Sequence, residues 1–224
     1  MLKFYFHPTP NPMKVALFLA EAELDYELIP VDTLKGEQHS PEYSSINPNN
    51  KVPAINDNGT IIFDSNAILL YLAEKTGKLL GKEDERGEIL SWLMFIASGL
   101  GPYSGQAVHF QKAAPEEIPY AINRYRREAE RHYQVLNDRL ADKEFFVGDS
   151  FTIVDIAAWG WIDKVIPVLG EGELENYPNL KRWFEAVDVR PSVAKARATG
   201  SDVGFKSELD EEAKKALYPQ NYKA

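Results

Sequence analysis

The sequence contains no cysteine. This absence excludes disulfide bonds, cysteine-ligated metals and a cysteine nucleophile. Any thiol chemistry must therefore use a thiol that arrives with a substrate. The four histidines are His7, His39, His109 and His132, and they do not have the spacing of metal ligands. We expect no bound metal.

Long apolar runs are also missing. No stretch of about eighteen apolar residues is present, so we expect no membrane span. The first residues, MLKFYFHPTP, lack the apolar segment and the small-residue cleavage site of a secretory signal. We therefore expect a cytoplasmic protein that does not bind membranes.

An excess of basic charge is absent as well, because the formal net charge is −9. This charge disfavours non-specific binding to nucleic acid. One basic cluster occurs, at Arg124, Arg126, Arg127 and Arg131, with Glu128 and Glu130 between its members. A mixed cluster on a helix is typical of a solvated face, so we expect no nucleic-acid partner.

The first eighty residues of the 224 alternate between strand and helix patterns. Residues 2–6 and 26–31 are predicted strands. Between them the pattern predicts a helix over 12–23, with Asn11 as its N-cap and Pro12 in its first position. This order predicts a βαβ unit, followed by a connection of about twenty residues that is longer than most.

A hairpin and a helix are predicted next. Asp57-Asn58-Gly59 is a strong hairpin turn signal between two short strands, residues 52–55 and 60–63. A helix follows over 65–76, and Gly77 is suited to close it. The first part of the chain is therefore predicted to be a small α/β domain with the order βαβ then ββα.

No convincing strand follows residue 85. Helices are predicted over 87–104, 116–141, 152–167, 178–190 and 191–199, and Thr152 with Asp155 has the pattern of a capping box. The sequence thus predicts a two-domain protein. An α+β domain occupies residues 1–80, an all-helical domain 87–204, and a polar extension without its own core 205–224.

Val52-Pro53 precedes a predicted strand. Proline is allowed there because it needs no ladder hydrogen bond. A cis peptide bond is the alternative, and it would direct the backbone N–H and C=O of Val52 outward, towards an extended peptide.

Two helix starts carry polar residues that suit a ligand. Asp64 and Ser65 precede the helix over 65–76, where Ser65 is either a simple N-cap or, with free backbone N–H groups, a site for a carboxylate. Asp64 could pair with an ammonium group, so the two together suit the α-amino acid end of a γ-glutamyl group. Thr9 and Asn11 follow the first strand, where they either form a turn or, with the helix dipole, favour a bound thiolate.

These segments together resemble a known family. The chain is similar to the N-terminal half of glutathione S-transferases in YFHPTPNPMKVALFLAEAELDYELIPVD, NPNNKVPAI and FDSNAILLYLAEKTG. It is similar to their helical half in GLGPYSGQAVHF and GDSFTIVDIAAWGW. The resemblance extends to about residue 200 and is nearest to the bacterial Nu-class and the Ure2-like members. It implies a thioredoxin-like domain, a helical bundle, glutathione as cosubstrate and a homodimer.

The resemblance also implies roles for individual residues. Pro53 would be cis, and the backbone of Val52 would pair with the cysteinyl part of glutathione. Asp64 and Ser65 would hold the γ-glutamyl end, although Asp64 is one methylene shorter than the usual glutamate. Three further implied contacts are Gln38 and Lys51 at the glycyl or backbone carboxylate and Arg124 on the long helix.

Thr9 and Asn11 match the Nu-class catalytic pair next to the sulfur. Tyr5 lies near the position where tyrosine-type transferases have their catalytic hydroxyl, but we interpret it as a strand residue. Three functions remain open at this point. The first is disulfide reduction by a bound glutathione thiolate. The second is conjugation of glutathione to an electrophile, with an acceptor pocket lined by Tyr103, His109, Phe110 and Trp161. The third is a non-catalytic, Ure2-like regulatory binding protein.

Overall fold

One mixed sheet lies in the first part of the chain in the computed structural model, which describes residues 1–222. Its strands are β1 (Leu2–Phe6), β2 (Tyr26–Pro30), β3 (Ala54–Asp57) and β4 (Thr60–Phe63). The order across the sheet is β2-β1-β3-β4. β1 and β2 are parallel and the other two pairs are antiparallel, which confirms the predicted βαβ then ββα order.

The first helix, α1 (Pro10–Ala22), begins two residues earlier than predicted. Thr9 is in the N-cap position with extended backbone, and Pro10 takes the first helical position. The prediction that Asn11 caps this helix is therefore wrong. The motif contains two prolines, and the fixed φ of Pro10 suits the first helical position as well as that of Pro12 would. Asn11 consequently lies in the first turn, where its side chain is free to bond elsewhere.

The long connection after β2 contains a short helix that the sequence analysis missed, α2 (Pro41–Ile46). Ser40 caps it, since its Oγ accepts a hydrogen bond from the Tyr43 N–H at 3.1 Å. Six residues are too few for a helical apolar stripe to be recognised, although Ser40-Pro41 is a start signal.

The hairpin is as predicted. Asp57 pairs with Thr60, and both Asn58 and Gly59 have positive φ, as a two-residue turn of this kind requires. The Val52–Pro53 peptide bond is cis. Helix α3 (Ser65–Thr76) has the predicted bounds, but its N-cap is Asp64, whose Oδ1 accepts from the N–H groups of Asn66 and Ala67.

The rest of the described chain is helical. A nearly continuous helical run consists of α4 (Arg86–Phe95), a π-helical turn over Ile96–Leu100, α5 (Gly101–Val108) and a second π-helical turn over His109–Ala113. The remaining helices are α6 (Pro119–Arg139), α7 (Ile153–Ile162), α8 (Val165–Leu169), α9 (Pro178–Asp188), α10 (Pro191–Ala198) and α11 (Glu211–Leu217). The predicted helix over 152–167 is thus two helices, and the predicted capping box of Thr152 and Asp155 is present. No helix within residues 1–222 is long and apolar enough to cross a membrane.

Helix α7 is buried along its whole length and packs against α1. Gly160 lies at this contact. A Cβ atom there would be 2.5 Å from Lys14 Cγ and 2.6 Å from the Pro10 carbonyl oxygen, both closer than real contacts allow. The missing side chain of Gly160 therefore permits the helical domain to touch the first turn of α1.

The C-terminal segment folds back over the sheet domain. The Lys206 N–H donates to Asp32 Oδ2 at 2.9 Å, and the amide of Gln38 donates to the Ala216 carbonyl at 3.1 Å. The ring of Tyr218 lies 4.6 Å from that of His109. The polar extension predicted over 205–224 is therefore anchored to both parts of the protein, with residues 223–224 outside the described residues.

Candidate active site

Two predicted pairs of site residues meet where α1 and α3 begin. Ser65 is the first residue of α3 and is buried, and its Oγ donates a long hydrogen bond of 3.4 Å to Asn11 Oδ1. Thr9 precedes Asn11 at the N-cap, where its side chain makes no capping bond, and Asp64 precedes Ser65. The structure thus brings Thr9, Asn11, Asp64 and Ser65 to one corner of the sheet domain.

Lys14 lies beneath this corner. Its side chain is buried, with 1% of the residue exposed, and its Nζ donates to Ser65 Oγ at 3.4 Å. Burial lowers the pKa of Lys14 to about 7, and the nearby Asp64 carboxylate acts in the opposite direction. Sequence reasoning missed this residue. A usable signal was present, since Lys14 lies three and four residues before the buried Leu17 and Phe18 and so shares their face of the helix.

The backbone before the cis bond is held by side chains of the long connection. The Lys51 carbonyl accepts from Tyr43 Oη at 2.7 Å and from Asn47 Nδ2 at 2.6 Å. Burial raises the pKa of Tyr43, so its hydroxyl keeps the proton it donates. The Lys51 residue itself is exposed. The backbone that leads into Val52 is therefore held in place by these two hydrogen bonds.

Gln38 is buried, and only one end of its side-chain amide has a hydrogen-bond partner within the described residues. Its Nε2 is bonded to the Ala216 carbonyl, and its Oε1 is buried without a hydrogen-bond partner within the described part of the chain. An unpaired buried carbonyl oxygen is costly unless a donor reaches it. The residue therefore lies under the C-terminal segment and not on an open surface.

The remaining candidates are not joined to this corner. Arg124 lies on the exposed face of α6, where its Nη1 donates to Glu128 Oε2 at 2.8 Å. None of the hydrogen bonds within residues 1–222 connects Arg124 to Asn11 or Ser65. Tyr5 lies in β1, in agreement with its interpretation as a strand residue. Its ring packs against that of Tyr43, with ring centres 5.7 Å apart.

The aromatic residues predicted to line an acceptor pocket separate into two groups. Trp161 adjoins the corner, with its ring centre 6.0 Å from Lys14 Nζ. The other three pair with aromatic neighbours of the helical domain or of the C-terminal segment: Tyr103 with His132, Phe110 with Tyr125, and His109 with Tyr218. Most of this set therefore serves packing.

The corner is suited to an anion. No group of three or more acidic or histidine side chains that could hold a metal occurs within residues 1–222. The charged and polar groups present are instead the backbone N–H of Asn11 at the start of α1, the Asn11 amide, the Ser65 hydroxyl and the buried Lys14 amine, which is a cation below its pKa of about 7. A helix N-terminus and a nearby cation both favour negative charge.

Comparison with known proteins decides the family. Residues 1–74 match the profile of the glutathione S-transferase N-terminal domain, and residues 102–191 match that of the C-terminal domain. The chain belongs to the glutathione S-transferase family. Its sheet domain followed by a helical domain is the fold of that family, as the resemblance implied.

Within the glutathione S-transferases, the chain is similar to the disulfide-bond oxidoreductase YfcG of Escherichia coli. The two are 48% identical over 204 residues, which cover 88% of this chain and 94% of that protein. A glutathione transferase homolog from Lodderomyces elongisporus, solved with two GSH per subunit, has a TM-score of 0.82 and 34% identity, covering 88% of this chain and 97% of that one. The glutathione transferase URE2P6 from Phanerochaete chrysosporium, solved with oxidized glutathione, has a TM-score of 0.83 and 37% identity, covering 91% and 97%.

Proposed function

We propose that this glutathione S-transferase family member is a glutathione-dependent disulfide-bond reductase. The observation that carries the proposal is the meeting of Asn11 and Ser65 at the start of two helices, above a buried lysine. Its 48% identity to a disulfide-bond oxidoreductase and its likeness to chains solved with two glutathione molecules or with oxidized glutathione support the same activity. Because the chain has no cysteine, the reducing thiol is that of the substrate.

The site residues have the following proposed roles. The backbone N–H of Ser65, at the N-terminus of α3, binds the γ-glutamyl carboxylate, and Asp64 faces its ammonium group. The backbone of Val52, after the cis bond to Pro53, pairs with the cysteinyl unit. Thr9 and Asn11 hold the sulfur. We keep Gln38 and Lys51 as contacts of the glycyl end, and Arg124 as a further contact from the helical domain.

The reaction balances with two glutathione molecules. The first thiolate attacks one sulfur of the substrate disulfide, and one substrate thiolate leaves with the electron pair of the broken bond. The second thiolate attacks the resulting mixed disulfide and releases the other substrate thiol. Two substrate thiols and one glutathione disulfide are formed. The rate depends on the thiolate fraction, which a helix N-terminus and hydrogen-bond donors increase.

A direct test compares turnover of hydroxyethyl disulfide with glutathione in the wild type and in the Asn11→Ala and Thr9→Ala variants. Both variants should lose at least about tenfold in kcat, since each removes a hydrogen bond to a charged sulfur. Asn176→Ala, on an exposed turn of the helical domain, is the control and should keep wild-type turnover. Normal turnover in both site variants would overturn the assignment.

The two rival functions are separated by parallel measurements. A chloronitrobenzene acceptor reports conjugation, and faster turnover with it than with the disulfide would favour a transferase. A glutathione titration that detects no binding would favour a regulatory binding protein. The pairing of Tyr103, His109 and Phe110 with other aromatic residues argues against a large acceptor pocket.

We further propose a cytoplasmic homodimer. The cytoplasm maintains the reduced glutathione that this reaction consumes. For the dimer, the support is an apolar edge: Ile61 and Phe63 lie on the same face of the edge strand β4 and are both exposed. Exposed apolar side chains on an edge strand favour association.

A further inference from the structure

Lys14 is unusual among the charged residues of the sheet domain because its side chain is almost fully buried. Its ammonium group is withdrawn from solvent, and within residues 1–222 no acidic side chain lies within 4 Å of it. Burying a cation without an anionic partner costs folding free energy. A buried charge that does not serve stability, lying directly under a substrate site, is a candidate for a functional role.

The hydrogen bonds around Lys14 have a defined direction. While Lys14 is protonated, its ammonium group has only donors, so the Ser65 oxygen accepts from it. The single hydroxyl proton of Ser65 is then directed to Asn11 Oδ1, 3.4 Å away. An amide whose oxygen accepts this bond turns its NH2 group to the other side. The chain Lys14–Ser65–Asn11 therefore determines which end of the Asn11 amide faces away from Ser65.

We propose that Lys14 is a positioning residue, which acts through Ser65 to orient the Asn11 amide with its NH2 group towards the glutathione sulfur. This inference rests on the proposed function. An NH2 group donates to a thiolate, whereas a flipped amide would present its oxygen and repel it. The lysine thus increases the thiolate fraction without touching the sulfur.

The surroundings of Lys14 on the neighbouring elements agree with this role. Asp64, at the start of α3, is the one carboxylate within the described residues whose charge raises the pKa of Lys14. From α7, Gly160 contacts the lysine stem, and the Trp161 ring lies 6.0 Å from Nζ. Since α7 packs directly against one side of the stem, it limits movement of the ammonium group away from Ser65.

The first test uses kinetics. Lys14→Met keeps an unbranched side chain that is one atom shorter and removes its donors, and it should lower kcat for hydroxyethyl disulfide by about tenfold or more. A double-mutant cycle with Asn11→Ala locates the effect. If Lys14 acts through Asn11, the double variant should be no slower than Asn11→Ala alone. Lys181→Met, in a surface ion pair on α9, is the matched control and should leave kcat unchanged.

The second test does not depend on activity. The side-chain amide signal of Asn11 in heteronuclear NMR, identified by its loss in Asn11→Ala, should shift in Lys14→Met and in Ser65→Ala but not in Lys181→Met. Ser65→Ala breaks the same hydrogen-bond chain, so it provides the answer if Lys14→Met fails to fold. An unmoved Asn11 signal in either folded variant, or additive losses in the cycle, would overturn the inference. Absence of disulfide reduction by the wild type would instead contradict the proposed function.

Discussion

Lys14 makes the stability of the free protein depend on pH. In an unfolded chain a lysine has a pKa near 10.4, whereas burial lowers the pKa of Lys14 in the folded protein to about 7. Between these two values the unfolded chain binds one more proton than the folded chain at this residue. Stability therefore rises with pH over this window, by up to about 1.4 kcal/mol per pH unit. At lower pH the folded protein carries the whole cost of burying the cation.

The expected result is a difference between the wild type and Lys14→Met. Urea unfolding from about pH 6.5 to 9.5 should show the free energy of unfolding of the wild type rising relative to that of the variant, because methionine does not titrate. Lys181→Met serves again as the control and should follow the wild type. Parallel pH profiles for the wild type and Lys14→Met would show that Lys14 keeps an ordinary pKa.

The polar residues that the sequence could identify are those whose signals are local. Thr9, Asn11, Asp64 and Ser65 lie beside helix starts, where short polar residues have few roles, although the capping residue of each helix was assigned one or two positions away from its true place. Gln38 is different, because its buried state depends on Ala216, which is 178 residues away in the chain. No local pattern around Gln38 indicates that contact.

Helices and strands were predictable where a turn or cap has strong chemistry. The Asn58-Gly59 turn and the capping box of Thr152 and Asp155 are examples. Asp155 also accepts from the Phe146 N–H and from Trp183 Nε1, two partners that only the folded bundle brings near. Likewise, the π-helical turns beside α5 interrupt a run that the apolar periodicity predicted as a regular helix, so the periodicity did not indicate them.

Gly160 shows how a helix contact controls the site. In Gly160→Ala the new methyl group would overlap Lys14 Cγ and the Pro10 carbonyl, so α1 or α7 must move. We expect a loss of about 1–3 kcal/mol in the free energy of unfolding, together with a raised KM for glutathione. Urea unfolding and steady-state kinetics measure the two effects.

Gly105→Ala is the matched control. This glycine is also helical and also near Trp161, but its Cβ would be at an ordinary 3.7 Å from that ring. The control should be neutral or stabilised, since alanine has the higher helix propensity. Equal behaviour of the two variants would mean that the close contact of α7 with α1 does not matter.

At the scale of the whole molecule, two features depend on contacts between distant segments. The C-terminal segment joins the sheet domain through Asp32 and Gln38 and the helical domain through His109. Its polar composition predicted an extension but not where it lies. The domain boundaries, at residues 80 and 87, stay predictions, as does the homodimer.

Phe63 tests the homodimer. Phe63→Glu places a charge on the exposed apolar edge of β4 and should convert a dimer to monomers in sedimentation experiments at micromolar concentration. Val189→Glu alters another exposed apolar residue, at the end of α9, and should leave the association state unchanged. A wild type that sediments as a monomer, or a Phe63→Glu variant that remains dimeric, would contradict the proposal.

In the proposed reaction, the corner formed by Thr9, Asn11 and the start of α1 stabilises a glutathione thiolate. Ultraviolet difference titration of the protein–glutathione complex measures this most directly, because the thiolate absorbs and the thiol does not. A free thiol has a pKa of about 8.5, and we predict that the bound thiol ionises below about 7.5. In Asn11→Ala the midpoint should return towards the free value. A wild-type midpoint equal to that of free glutathione would show that this corner does not stabilise the thiolate.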